Sequence, residues 1–180
     1  MANDSLVYIR ALQTQDLERV VRWHNDYALY QSLGGNFRFV SPSLVEQWLQ
    51  AKSVPSANEV NLAICTRTDS RHVGNIYLRD IHWLNRTAEM HIVLGEGESR
   101  GKGYGEAATR LVLSYSFEDL NLWRIYLHVL EGNEPALRMY KRCGFEVEGT
   151  LREHAYKGGG HKNVIVMGIL AHAWSRKTAD

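Results

Sequence analysis

The chain has 180 residues, 44% of them hydrophobic, enough for one sizeable core and short for two at roughly 150 residues per domain, so residues 1–180 are expected to form a single domain. Twenty-one Lys and Arg against 20 Asp and Glu leave a net charge of +1. A chain so balanced carries no field that favours nucleic acid or an anionic membrane surface, and neither is expected as a partner.

The opening MANDSLVYIR lacks the apolar core of a signal peptide, and no stretch approaches the roughly 18 apolar residues of a membrane span. Cys65 and Cys143 stand far apart without CxxC spacing, so a reduced, cytoplasmic setting is expected. Val7 to Leu12 reads as a strand. A helix follows with Leu17, Val20 and Val21 at helical spacing and Thr14 as its cap. Residues 25–40 are a connector holding Gly34, Gly35 and several aromatics, and a second helix opens at Ser41 with Pro42 in its first turn and Val45, Trp48 and Leu49 inward. Val60 to Thr66, Val73 to Ile81 and Thr87 to Leu94 read as three strands in a meander.

RGKGYGEAATR (100–110) follows, and Tyr104, Ala107, Ala108, Leu111, Val112 and Tyr115 recur as one face of an amphipathic helix. Arg124 to Leu130 returns to strand, and Glu134 to Cys143 to helix, with Gly144 as a left-handed stop. Phe145 to Ala155 and Asn163 to Leu170 finish as two strands around Gly158, Gly159 and Gly160.

The glycine-rich loop therefore joins a strand to a helix. It is not a P-loop, because Lys102 is followed by Gly103 and the place of the first glycine is taken by Glu96. It fits a dinucleotide fingerprint poorly, because Gly101, Gly103 and Gly105 follow an antiparallel meander. Two readings stand on spacing alone. In one, loop amides and the helix N-terminus hold a pyrophosphate beside Arg100 and Lys102; in the other, the loop is a flexible basic turn. Alternation along β-like Ala88 to Leu94 puts Glu89 and His91 on one face, each placed to exchange a proton or to face solvent. The remaining His residues show no metal-ligand spacing, and no metal is expected.

The ordered set of RTAEMHI before the loop, RxxGxG at Arg100, Gly103 and Gly105, NEPALRMYKRCGF (133–145) and the EGTLREHAYKGGGHKN hairpin resembles the GNAT superfamily of acyl-CoA-dependent N-acyltransferases. Within it, Ala88 to Gly168 is similar to the branch of the RimJ and RimL ribosomal-protein acetyltransferases and the spermidine acetyltransferases. The resemblance implies an α/β (α+β) fold, a twisted, mixed, mostly antiparallel sheet of about seven strands with helices on both faces. It implies acetyl-CoA as co-substrate, held by Val93, Leu94, Arg100, Gly101, Lys102, Gly103, Tyr104, Gly105 and Asn133. It implies Tyr140 as the acid for the departing thiolate and Glu89 as the base, with His91, Asp26 and Arg38 on the acceptor side.

Ser116 and Cys143 lack the neighbouring base of a covalent nucleophile, so direct transfer in a ternary complex is expected. The connector carries one carboxylate, Asp26, and one cation, Arg38, which departs from the acidic lining a polyamine would favour. The acceptor is therefore read as a small-molecule amine, an amino sugar or similar, or a protein N-terminus. The alternatives are a polyamine acceptor or a non-catalytic acyl-CoA sensor. The resemblance also allows a homodimer.

Overall fold

The computed structural model describes residues 6–95 and 97–178. In chain order these form β1 (Val7–Ala11), α1 (Leu17–His24), α2 (Tyr27–Gln31), α3 (Pro42–Lys52), β2 (Val60–Thr66), β3 (His72–His82), β4 (Thr87–Leu94), α4 (Tyr104–Ser114), β5 (Arg124–Leu130), α5 (Glu134–Cys143), β6 (Glu146–Lys157), β7 (Gly160–Leu170) and α6 (Ala171–Thr178). The strands make one open sheet in the order β1-β2-β3-β4-β5-β7-β6. Every pairing is antiparallel except β4 with β5.

Strand alternation divides the core between two faces. On β2 and β3, Ile64, Ile76 and Leu78 face α4, α5 and α6, where Val112, Leu137, Tyr140 and Trp174 cover them. Ala63, Cys65 and Tyr77 turn the other way, beneath Val20, Trp23, Leu29, Val45 and Leu49 of α1, α2 and α3. Each large aliphatic side chain buried in this way contributes on the order of 2 kcal/mol.

Helix ends follow the local chemistry. Ser41 caps α3 by accepting from the Leu44 amide at 3.2 Å. Asn133 caps α5, and Gly144 closes it at φ 104°.

The structure corrects several sequence expectations. Thr14 does not cap α1: it opens a 3-10 turn, Thr14–Asp16, and α1 begins at Leu17. The 25–40 connector contains a helix, α2. The terminal hairpin extends to Lys157 and Gly160, so its turn is only Gly158 and Gly159, at φ 58° and 85°. Both φ values are positive, as a two-residue turn matching the strand twist requires. The helical face of α4 ends at Ser114 and passes into a wider π turn, Tyr115–Asp119. Finally, a helix the sequence pattern does not announce, α6, follows β7. Among the described residues no helix is long and apolar enough to cross a membrane.

Candidate active site

The seam between β4 and β5 organises the site. Their parallel register covers only Thr87↔Arg124, Ala88↔Ile125 and Glu89↔Tyr126. Beyond it, His91 to Leu94 continue to pair with β3, while His128 and Leu130 continue to pair with β7. Two strands held by different neighbours past a common point must part, and the gap opens toward Val93 and Leu94 on one side and Leu130 on the other.

The glycine-rich loop lies at the end of β4. Gly101 and Gly103 take φ 74° and 82°, the left-handed region that favours glycine. The Arg100 amide is engaged by the Gly97 carbonyl at 3.1 Å and the Ala107 amide by that of Gly103 at 3.0 Å. Among the described residues, the backbone N–H groups of residues 101–106 donate to no acceptor. Consecutive free amides at the N-terminus of an eleven-residue helix form an anion cradle, and Arg100 and Lys102 stand exposed beside it. A side-chain atom added at Gly101 would meet nothing within 4 Å, so the cradle is open to a ligand. These residues fit the pyrophosphate of coenzyme A, and acetyl-CoA supplies the acetyl group already activated as a thioester. The carboxylate of Glu106 is drawn aside from the cradle by Arg142 at 2.7 Å and Arg110 at 3.2 Å, which also clamps α4 to α5.

Where β4 meets the loop, Gly95 lies flat against the Trp23 indole of α1, and any Cβ there would overlap the ring. Trp23 cannot retreat easily, since it is buried and meets the His72 ring edge-on at 4.8 Å. Gly95→Ala is expected to destabilise by roughly 2 kcal/mol through overpacking, lowering Tm by about 4–8 °C for a chain of this size. Thermal unfolding reads this directly, and an unchanged Tm would mean that α1 yields without cost.

On the α1–α3 face of the seam, three side chains meet. Glu89 Oε1 lies 2.6 Å from His128 Nδ1 and 3.3 Å from His91 Nε2. Burial alone would raise the Glu89 carboxyl, but the neighbouring imidazoles of His91 and His128 outweigh it and hold the carboxyl down to about 2. It is therefore ionised at neutral pH, and a carboxylate only accepts hydrogen bonds. His128 hydrogen-bonds Glu89 Oε1, and His91 stands beside the same oxygen at ion-pair distance. Tyr126, in register with Glu89, stacks edge-on against His128 at 5.9 Å. Alternation along β4 joins Glu89 to His91 but not to His128, which only the β4–β5 register brings to Glu89.

Tyr140 lies across the sheet in the α4–α5 layer, buried edge-on against Phe145 at 5.6 Å. Burial pushes its phenol above the ordinary value of 10. Asn133 does two jobs: its Oδ1 accepts from the Ala136 amide at 3.3 Å, and its Nδ2 donates to the Ser32 carbonyl at 3.1 Å, tying α5 to α2.

Asp26 caps α2, its Oδ1 accepting from the Leu29 amide at 2.9 Å. Arg38 is exposed between Phe37 and Phe39, whose rings lie 5.0 Å apart; Phe37 also meets Tyr27 at 5.3 Å and Tyr30 at 5.7 Å. Lys157, at the tip of the terminal hairpin, is buried and donates to the carbonyls of Tyr30, at 2.9 Å, and of Gly35. It pins the connector to the hairpin, a role its charge and its place before three glycines gave no sign of. Between them opens a cleft of about 630 Å³ walled by Ser32, Leu130, Gly132, Asn133, Lys157 and Gly158. Leu130 shares a strand face with His128, so the cleft leads along β5 to the Glu89 cluster. A smaller depression of about 360 Å³ at the opposite end of β5, lined by Phe117, Trp123 and Trp174, holds none of the expected site residues.

A splayed parallel pair inside an antiparallel sheet, with an anion cradle at one strand's end, defines an acyl-CoA-dependent acyltransferase. The chain belongs to the GNAT family: the Acetyltransferase (GNAT) domain matches residues 7–146. It is an acetyl-CoA-dependent N-acetyltransferase that transfers acetyl to an amine. Over 171 residues it is 30% identical to spermidine N(1)-acetyltransferase of Escherichia coli (strain K12), covering 93% of this chain and 88% of that one. A shorter match, 34% identical over 76 residues, joins it to alpha/beta-tubulin-N-acetyltransferase 9 of Homo sapiens, covering 42% of this chain and 36% of that one. The crystal structure of spermidine N-acetyltransferase from Vibrio cholerae in complex with CoA and spermine superposes with a TM-score of 0.87 at 29% identity, over 95% of this chain and 99% of that one.

Proposed function

We propose that the acceptor is the primary amine of an amino sugar or similar small molecule, or of a protein N-terminus, and not a polyamine. The observation that carries this is the state of the connector. Its only carboxylate, Asp26, is engaged as the cap of α2, whereas its only cation, Arg38, is exposed among aromatic rings. A polyamine bears several positive charges and needs carboxylates to offset their desolvation. An exposed guanidinium instead suits an acceptor that carries a phosphate or carboxylate near its amine.

In this reading the chain works as one catalytic domain in the cytoplasm, by direct transfer in a ternary complex. The amides of residues 101–105, with Arg100 and Lys102, hold the pyrophosphate, and Val93, Leu94 and Asn133 border the pantetheine arm. Tyr140 protonates the departing sulfur. The acceptor arrives through the cleft beside Lys157, with Asp26 holding α2 in place and Arg38 and His91 at its margin.

Thiol release from acetyl-CoA, measured against amino-sugar nucleotides, aminoglycosides, short peptides with free N-termini and spermidine, tests the acceptor. Turnover led by an amino sugar or a peptide is expected. Spermidine ahead of every other member would replace this assignment with the polyamine one.

A further inference from the structure

We propose that His128, held by Glu89 across the β4–β5 seam, takes the proton that the acceptor amine sheds. The inference rests on acetyl transfer to an amine but not on which amine is the acceptor.

The assignment of atoms follows from the hydrogen bonds. Glu89 Oε1 approaches His128 Nδ1 to 2.6 Å. Because an ionised carboxylate has no proton to give, Nδ1 carries the hydrogen and donates it. In the neutral ring this leaves Nε2 with a free lone pair. The imidazole has a third of its side-chain surface exposed, 33%, against 14% for Glu89. A solvated acceptor can therefore reach His128 more easily than the carboxylate behind it. Glu89, held down by two imidazoles, accepts a proton poorly near neutrality but fixes the ring, which makes it a positioning residue.

The groups around His128 agree with this assignment. From β4 come Glu89 and His91; on its own strand stands Tyr126, with Arg124 5.3 Å from that ring and paired to Glu148. From β7 the residue in register is Val166, which cannot titrate. Asp80 is the further charge felt at Tyr126.

The protons balance. An ammonium acceptor sheds two on the way to the amide. One passes to His128 Nε2, and on to solvent, before the C–N bond forms, because an ammonium nitrogen has no lone pair to attack with. The other replaces, through solvent, the proton that Tyr140 gives to the sulfur as the C–S bond breaks.

The pH profile of kcat/KM separates this role from a structural one. With a base in place, neutral His128 acts on the abundant ammonium form, so the profile rises and then levels once the imidazole is neutral. Without it, the enzyme depends on free amine, and the profile climbs until the amine's own pKa, about 10 for an alkylamine. His128→Gln is expected to lower kcat/KM about 100-fold at pH 7 and to convert the plateau into this climb. Glu89→Gln, which can present its amide N–H to Nδ1 and so turn the tautomer, is expected to change the profile in the same way, with KM for acetyl-CoA unchanged.

The measurement uses whichever amine is turned over fastest, spermidine included, so a wrong acceptor assignment leaves the test intact. A uniformly lowered profile of unaltered shape in His128→Gln, or full activity, overturns the proposal. Should no amine in the set be turned over, imidazole nitrogen NMR of the full chain decides: protonated Nδ1 with bare Nε2 is expected, and the opposite tautomer overturns it.

Discussion

Replacing Tyr140 with Phe is expected to lower kcat by about 100-fold or more, while leaving Tm and the affinity for acetyl-CoA close to those of the parent. The ring and the hydroxyl of Tyr140 do different work. The ring packs in the α4–α5 layer, edge-on to Phe145 at 5.6 Å, and belongs to the main core. Phenylalanine keeps that packing. The hydroxyl is held neutral by burial, which raises the phenol above its ordinary value of 10, so it keeps its proton throughout the working range and can give it to a thiolate. A thiolate leaves unaided once the medium exceeds the ordinary thiol pKa, about 8.5. The deficit of Tyr140→Phe should accordingly narrow as pH rises through that value. Thiol release followed from pH 6 to 9 checks both parts, and near-full turnover at every pH would assign Tyr140 to packing alone.

What the sequence reveals of this site is local, and what it hides is pairing. The loop, its following helix, the Asn133 cap and the Gly144 stop are legible because each depends on neighbours within a few residues. The splay of β4 from β5 depends on which strands meet, and its register places Tyr126 opposite Glu89. No periodicity within Arg124 to Leu130 carries that information, so His128 reads as an isolated histidine on a strand. Lys157 is hidden for a related reason. A lysine before three glycines suggests a solvated turn, yet the tight Gly158-Gly159 turn places it in the sheet and folds its amine onto the connector. Asp26 shows the converse case: the resemblance puts it on the acceptor side, and the structure turns it to its own backbone as the cap of the five-residue helix α2. Tertiary partners decide the first two, and a local cap decides the third.

Asp16→Asn is expected to cost roughly 2–3 kcal/mol near neutral pH, toward the lower end of what breaking a buried ion pair costs, because Arg10 keeps 20% of its side-chain surface exposed. Asp16 is 2% exposed. It accepts from Arg10 Nη1 at 2.8 Å and Nη2 at 2.7 Å and from the Gln13 amide at 2.9 Å. His72 Nδ1 lies 3.1 Å away on β3, out of line for a hydrogen bond. One carboxylate thus joins β1, the turn into α1 and the start of β3, directly behind the helix that carries Trp23. Burial alone would raise its pKa, but the Arg10 guanidinium and its neighbours hold it well below the ordinary 3.8. A carboxyl whose folded value is depressed contributes stability above the unfolded value and loses it as pH falls toward the folded one. The stability gap between parent and Asp16→Asn, measured by urea unfolding, should therefore be constant from about pH 5 to 8 and shrink progressively below about pH 4. The isosteric amide still fills the space, so the loss reports the charge and not a cavity. A gap below 1 kcal/mol at neutral pH, or one that does not close in acid, would show that the α1–α3 layer is anchored by its apolar packing and not by this pair.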